Sequence, residues 1–195
     1  GVSLKLSSNF VAGATTFING NINYTYIPEG DAEKTVHFEI DGIPQKPVTT
    51  SVSKVEAKPY QIRGLSHGSH TLKVYFTANI GGQEISSNTL FYDLICVDPN
   101  NPTPIIASDF TALNQEQYSS FEIPYYVYAN GKTTLPIILK ATSSEGETTS
   151  NTQGTVGKRL SWPYRADSDG VHTLEIFCEN AKPKRFEINV TKNEI

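Results

Sequence analysis

The chain has 195 residues, a formal net charge of −4 and 37% hydrophobic residues, enough for one large domain or two of about 100 residues that each bury a core. The acidic balance, with no run of Lys or Arg, excludes the basic stripe by which a nucleic-acid binder displaces phosphate counterions. The longest apolar runs are as short as Leu94-Ile95-Cys96-Val97, too short for a membrane-spanning helix.

In chain order the elements read as strands. Pro28-Glu29-Gly30-Asp31 marks a turn, and Val36-His37-Phe38-Glu39-Ile40 then alternates apolar with polar side chains. A period of two places one face on a core and the other in water, the antiparallel pattern. Asp41-Gly42 closes that run; Leu72-Lys73-Val74-Tyr75-Phe76 repeats it before Gly81-Gly82. Residues 98–104 hold three prolines and no buried pattern, a semi-rigid extended linker. No long window carries a helical stripe; 112–117 could make one turn at most. Beyond it, strand B is expected at 121–128, C at 135–140, E at Leu160–Arg165, F at 170–178 and G at 185–190, with Asn130-Gly131 and Asp169-Gly170 as turns. The Ser-, Thr- and Gly-rich stretch 141–158 reads as a mobile loop or weak edge strand.

An internal repeat organises these strands. PYQIRGLSHGSHTLKVYF (59–76) lies without gaps on SWPYRADSDGVHTLEIFC (161–178), so that Arg63 meets Arg165, Ser66 meets Ser168, Gly68 meets Gly170, and His70-Thr71-Leu72 meets His172-Thr173-Leu174. Upstream, Ile22, Tyr24 and Gly30 meet Ile123, Tyr125 and Gly131 at nearly the same offset. A repeat of about 100 residues is the size of one Ig-type domain. The expected architecture is all-β: two Ig-like or fibronectin-III-like antiparallel β-sandwiches in tandem, at 1–98 and 104–195, joined by a Pro-rich linker at 99–103. The opening Gly1-Val2-Ser3 has no signal-peptide pattern, and with no methionine in the chain it suits a piece of a longer protein.

A glycine turn followed by His-Thr-Leu and an alternating strand resembles the late-strand signature of bacterial and phage Ig-like domains. Across both copies the chain looks like the tandem Ig-like modules of large virion or surface proteins of tailed phages of gut bacteria and of those bacteria. The resemblance implies a non-catalytic spacer that presents a separate recognition domain, extracellular, on a cell surface or on a virion, with other domains of the parent protein as partners. Adhesion to a glycan or protein, and service as accessory domains of a polysaccharide-degrading enzyme, are the alternatives. The chain departs from antibody-type Ig domains, which place one cysteine on strand B and one on F. Cys178 falls on F with none at 121–128, and Phe76 stands at its position in the first copy, so Cys96 and Cys178 read as buried free thiols.

Chemistry-bearing patterns are few, and no enzyme, cofactor, metal, nucleic-acid partner or membrane insertion is expected. There is no Gly-x-Ser-x-Gly elbow, and no acid sits in the apolar setting a general acid requires. His67-x-x-His70 has a metal-ligand spacing, but its counterpart is Asp169-x-x-His172; the plainer reading is that His70 and His172 start equivalent strands and bond a turn carbonyl. The linker carries one acid, Asp98, where calcium needs six to eight oxygen ligands. Trp162, alternating with Leu160 and Tyr164, reads as core, and Arg63 and Arg165 as solvated or ion-paired within their copies. The binding candidates are aromatic. Tyr24 and Tyr26 crowd strand B of the first copy, and Tyr125, Tyr126 and Tyr128 that of the second. With Tyr125 facing the core, Tyr126 and Tyr128 would form an exposed platform for a sugar ring or a partner.

Overall fold

In a computed structural model the chain is described over residues 4–50 and 56–194; the opening Gly1-Val2-Ser3 read above lies outside them. The described residues form strands and no helix, in two compact units: Gly1–Ala12 with Phe17–Asp98, and Gly13–Thr16 with Pro99–Ile195.

The first unit contains β1 (Lys5–Ser7), β2 (Thr16–Ile18), β3 (Ile22–Glu29), β4 (Lys34–Ile40), β5 (Ile43–Pro44), β6 (Val48–Thr50), β7 (Lys58–Ile62), β8 (Gly68–Ile80), β9 (Gln83–Ser86) and β10 (Leu90–Val97). One sheet runs β1-β3-β7; the other runs β2-β10-β8-β4-β5, with β6 on β4 and β9 on β8. The alternation read in the sequence is the alternation of burial. In β4, Val36 and Phe38 are buried and alternate with the half-exposed His37 and Glu39, and in β8, Leu72, Val74 and Phe76 are fully buried. Tyr24 and Tyr26 each pack edge-to-face against Phe38 in the same core, where Tyr60 lies flat on Phe38 with ring centroids 3.7 Å apart. The Asp41-Gly42 turn has positive φ at both residues (53° and 77°), as a two-residue hairpin loop matched to strand twist demands.

The second unit repeats the plan with β11 (Ile105–Ala107), β12 (Asn114–Glu116), β13 (Ser120–Tyr128), β14 (Thr134–Ser143), β15 (Gly146–Thr155), β16 (Leu160–Arg165), β17 (Gly170–Phe177) and β18 (Lys184–Thr191). Its sheets run β11-β13-β16 and β12-β18-β17-β14-β15. Both units therefore set a three-stranded sheet (β1-β3-β7 and β11-β13-β16) against a larger one, the fibronectin-III-like form of the sandwich. Ile123, Tyr125, Val127, Trp162, Leu174 and Ile188 are among the core residues. Cys178 is buried just past β17, and its counterpart Phe76 is buried too; both thiols are free.

Of the two readings given for 141–158, the edge strand is the one found: the stretch holds β15, paired to β14 residue for residue over its ten positions at the end of the sheet. One segment differs from expectation. The segment 112–117 holds β12, which pairs in parallel with β18 in place of a helical turn.

Candidate functional site

In the second unit β15 is an edge of the five-stranded sheet and β16 an edge of the three-stranded one, and residues of both line one cleft. Alternation along β16 sends Trp162 and Tyr164 inward, and beneath them lies a cleft of about 380 Å³, within the range of pockets that hold small ligands. Its walls are polar: Ser143, Glu145 and Thr148 from the β14–β15 hairpin face Tyr164, Arg165 and Asp167.

His172 fixes this wall. It is 1% exposed and heads the alternating part of β17. Its Nε2 lies 2.7 Å from the Ser168 carbonyl oxygen, which can only accept, so Nε2 carries the proton. Nδ1 is then the acceptor for the Tyr164 hydroxyl at 2.6 Å. Burial, with the nearby carboxylates of Asp167 and Glu145, pushes the Tyr164 pKa up and keeps that proton in place. The Arg165 Nε donates to Asp167 Oδ1 at 2.6 Å, and its guanidinium lies 5.9 Å from the Tyr118 ring centroid.

The first unit uses the same turn with a different second partner. His70 Nε2 donates to the Ser66 carbonyl at 2.8 Å, while Nδ1 lies 2.6 Å from Asp41 Oδ2. Asp41 Oδ1 also accepts from the Thr71 amide at 2.9 Å, which ties the β4–β5 turn to the start of β8. Both histidines thus bond a turn carbonyl, as their repeated position suggested. His67 Nδ1 instead accepts from the Asp98 amide at 3.0 Å. Among the described residues no three His, Cys, Asp or Glu side chains come together as a metal site.

Tyr125 joins the core and Tyr126 and Tyr128 take the other face of β13, but the pair is no open platform. Tyr126 is 6% exposed with its hydroxyl accepting from Arg159 Nη1 at 3.0 Å, and the half-buried Tyr128 donates to Asn130 Oδ1 at 3.0 Å. Alternation sets the face a strand residue takes and leaves open what else covers that face. The cleft itself carried a fainter sequence signal: Tyr164, Arg165, Asp167 and His172 crowd one strand and its turn, but Glu145 joins them only through the hairpin.

Chemically, two carboxylates and one guanidinium around hydroxyls and aromatic edges suit a neutral, polyhydroxylated ligand better than an anion. His172, engaged at both nitrogens, is a positioning group here and not a free base.

No protein-family model matches the chain, and no curated protein does. Among solved structures it is similar to an apo β-glucuronidase 3 of Bacteroides uniformis, at 11% identity and a TM-score of 0.40 over 97% of this chain. It spans 25% of that enzyme's length. It is likewise similar to a chimeric titin Z1Z2-Z1Z2 tandem, at 11% identity and a TM-score of 0.38 over 97% of this chain and all of that one. An ICAM-5 D1–D4 ectodomain fragment matches at 9% identity and a TM-score of 0.38, over 96% of this chain and 54% of that one. The sandwich assignment stands on the strand order above.

Proposed function

We propose that the chain is a non-catalytic structural module of a larger virion or bacterial cell-surface protein, a spacer that presents a separate recognition domain outside the cell. One observation carries this reading. The side chains best able to do chemistry serve the same structural task in both units, each repeated histidine binding the carbonyl four residues before it. A duplicated unit whose reactive groups lock its turns is suited to carrying load and setting distance. Pulling the 195-residue chain from its two ends is expected to show two unfolding events, each releasing about 30 nm of chain. Hydrolytic turnover of a glycan or peptide by the purified chain would overturn the reading.

The cleft favours adhesion to a glycan as the second reading. A glycan array distinguishes them. Binding abolished by Glu145→Ala/Asp167→Ala would establish adhesion through the cleft, and binding that survives those changes would move the site elsewhere. No binding at millimolar sugar leaves the spacer reading in place.

A further inference from the structure

A strand at a sheet edge presents unpaired backbone N–H and C=O groups, and proteins blunt such edges with short strands, prolines or charges. This chain does so almost everywhere. Among the described residues the edge strands β1, β2, β6, β11 and β12 have three residues each, β9 has four, and β5 has two. The longer edges carry a proline, Pro59 in β7 and Pro163 in β16. β15 is the exception: ten residues, GETTSNTQGT, without proline and bonded on one side only, to β14. Its one charge, Glu147, is already paired with Lys140 of β14 at 3.3 Å, and nine of its ten positions are exposed.

We propose that β15 is a docking edge for a second copy of this chain, pairing antiparallel with its own β15 about a two-fold axis. The choice of occupant follows from the other edges. Within a solution of this chain the alternative edges are shorter than β15 or are interrupted by proline; β1 and β12, for example, leave only 22–26 of β3 and 184–188 of β18 uncovered, which makes another β15 the matching partner. The strand is also self-compatible. A two-fold pair centred on Ser150 sets Thr149 opposite Asn151, Thr148 opposite Thr152, and Glu147 opposite Gln153, with no like charges facing and β-branched residues in register. Because the contact is isologous, it closes at two chains and does not propagate. Two five-stranded sheets would join into one across the axis.

Sedimentation of the intact chain from micromolar to millimolar concentration tests this. The expected result is a concentration-dependent rise from the monomer mass to twice that mass and no further. Amide exchange should slow in 146–155 as the dimer fills. Thr149→Lys/Asn151→Lys sets lysines opposite one another in the paired strands and is expected to weaken association about tenfold or more, while Val171→Lys, an exposed position on β17, leaves it unchanged. An Asn151→Pro variant with unaltered circular dichroism supplies a second disruption, by removing a backbone donor. A monomer at every concentration, a mass that climbs past two chains, or a dimer untouched by the lysine pair would overturn the proposal. None of these outcomes bears on the spacer reading, which rests on the turns.

Discussion

A histidine that has committed one nitrogen to a backbone carbonyl is defined by what reaches the other. In the second unit a partly buried tyrosine hydroxyl donates to it; in the first a partly exposed carboxylate accepts from it. Replacing His172 by alanine strands the buried Ser168 carbonyl and the partly buried Tyr164 hydroxyl, and should cost about 2–4 kcal/mol in chemical denaturation. His70→Ala uncovers groups that water can reach, and should cost about 1 kcal/mol. Equal losses would mean that the two turns are not differentiated by their second partners. The thiols offer a second check at this scale. Burial, and then the charge of Asp41, pushes the Cys96 pKa up to about 12, and burial raises that of Cys178 as well. Neither should react with a disulfide reagent at pH 8 without denaturant. Because the unfolded thiols ionise near pH 8.5 while the folded ones keep their protons, this part of the stability is complete below that pH and is lost as pH rises toward 12. Thermal melts from pH 8 to 10.5 should fall accordingly, and the fall should shrink in Cys96→Ala. Residue roles were partly legible: the repeated His-Thr-Leu identified the two histidines as structural equivalents, but Asp41 and Tyr164 reach them from distant and near elements, which spacing along the chain does not encode.

At the scale of elements, alternation located the strands whose two faces meet different media. Strands B, C, E, F and G of the second unit lie within a few residues of where the pattern placed them. For 141–158 the pattern leaves loop and edge strand both open, because β15 has nine of its ten positions exposed: with both faces in water its sequence needs no period of two, and Thr, Ser, Asn and Gln do not separate strand from loop. Its single buried residue marks where it meets the core. A Cβ on Gly154 would lie 2.9 Å from a Leu160 methyl and 3.1 Å from side-chain carbons of both Ile137 and Val127. Three neighbours from three strands cannot all yield, so Gly154→Val is expected to destabilise the second unit by about 1–3 kcal/mol, read as a lower denaturation midpoint. An unchanged midpoint would show that the strand lifts away from the core without penalty.

At the scale of the molecule, the described residues form two hydrophobic cores, one in each unit, built on matched positions. Leu72 and Leu174 correspond in the repeat and are both 0% exposed. Truncating either to alanine should cost about 2–5 kcal/mol, lowering one calorimetric transition and sparing the other; a single shared shift would argue that the units melt together. The duplication was legible because its matched block spans a turn and the strand after it, where backbone conformation and packing both restrict the residues allowed. The hairpin of β14 and β15 bears on how the chain reaches this state. It joins ten residue pairs across a loop of two residues, whereas the hairpins at Asp41-Gly42 and Gly81-Gly82 join two and four pairs. Closing so short a loop forfeits little chain entropy, so many contacts form before any distant segment must be found. The second unit should therefore have the quicker nucleus. The chain's one tryptophan, Trp162, sits opposite that hairpin and can time it: lengthening the loop between Ser144 and Glu145 with a flexible glycine-serine insert should raise the closure entropy by about 1 kcal/mol and slow its refolding signal roughly fivefold, with the unfolding rate left nearly unchanged.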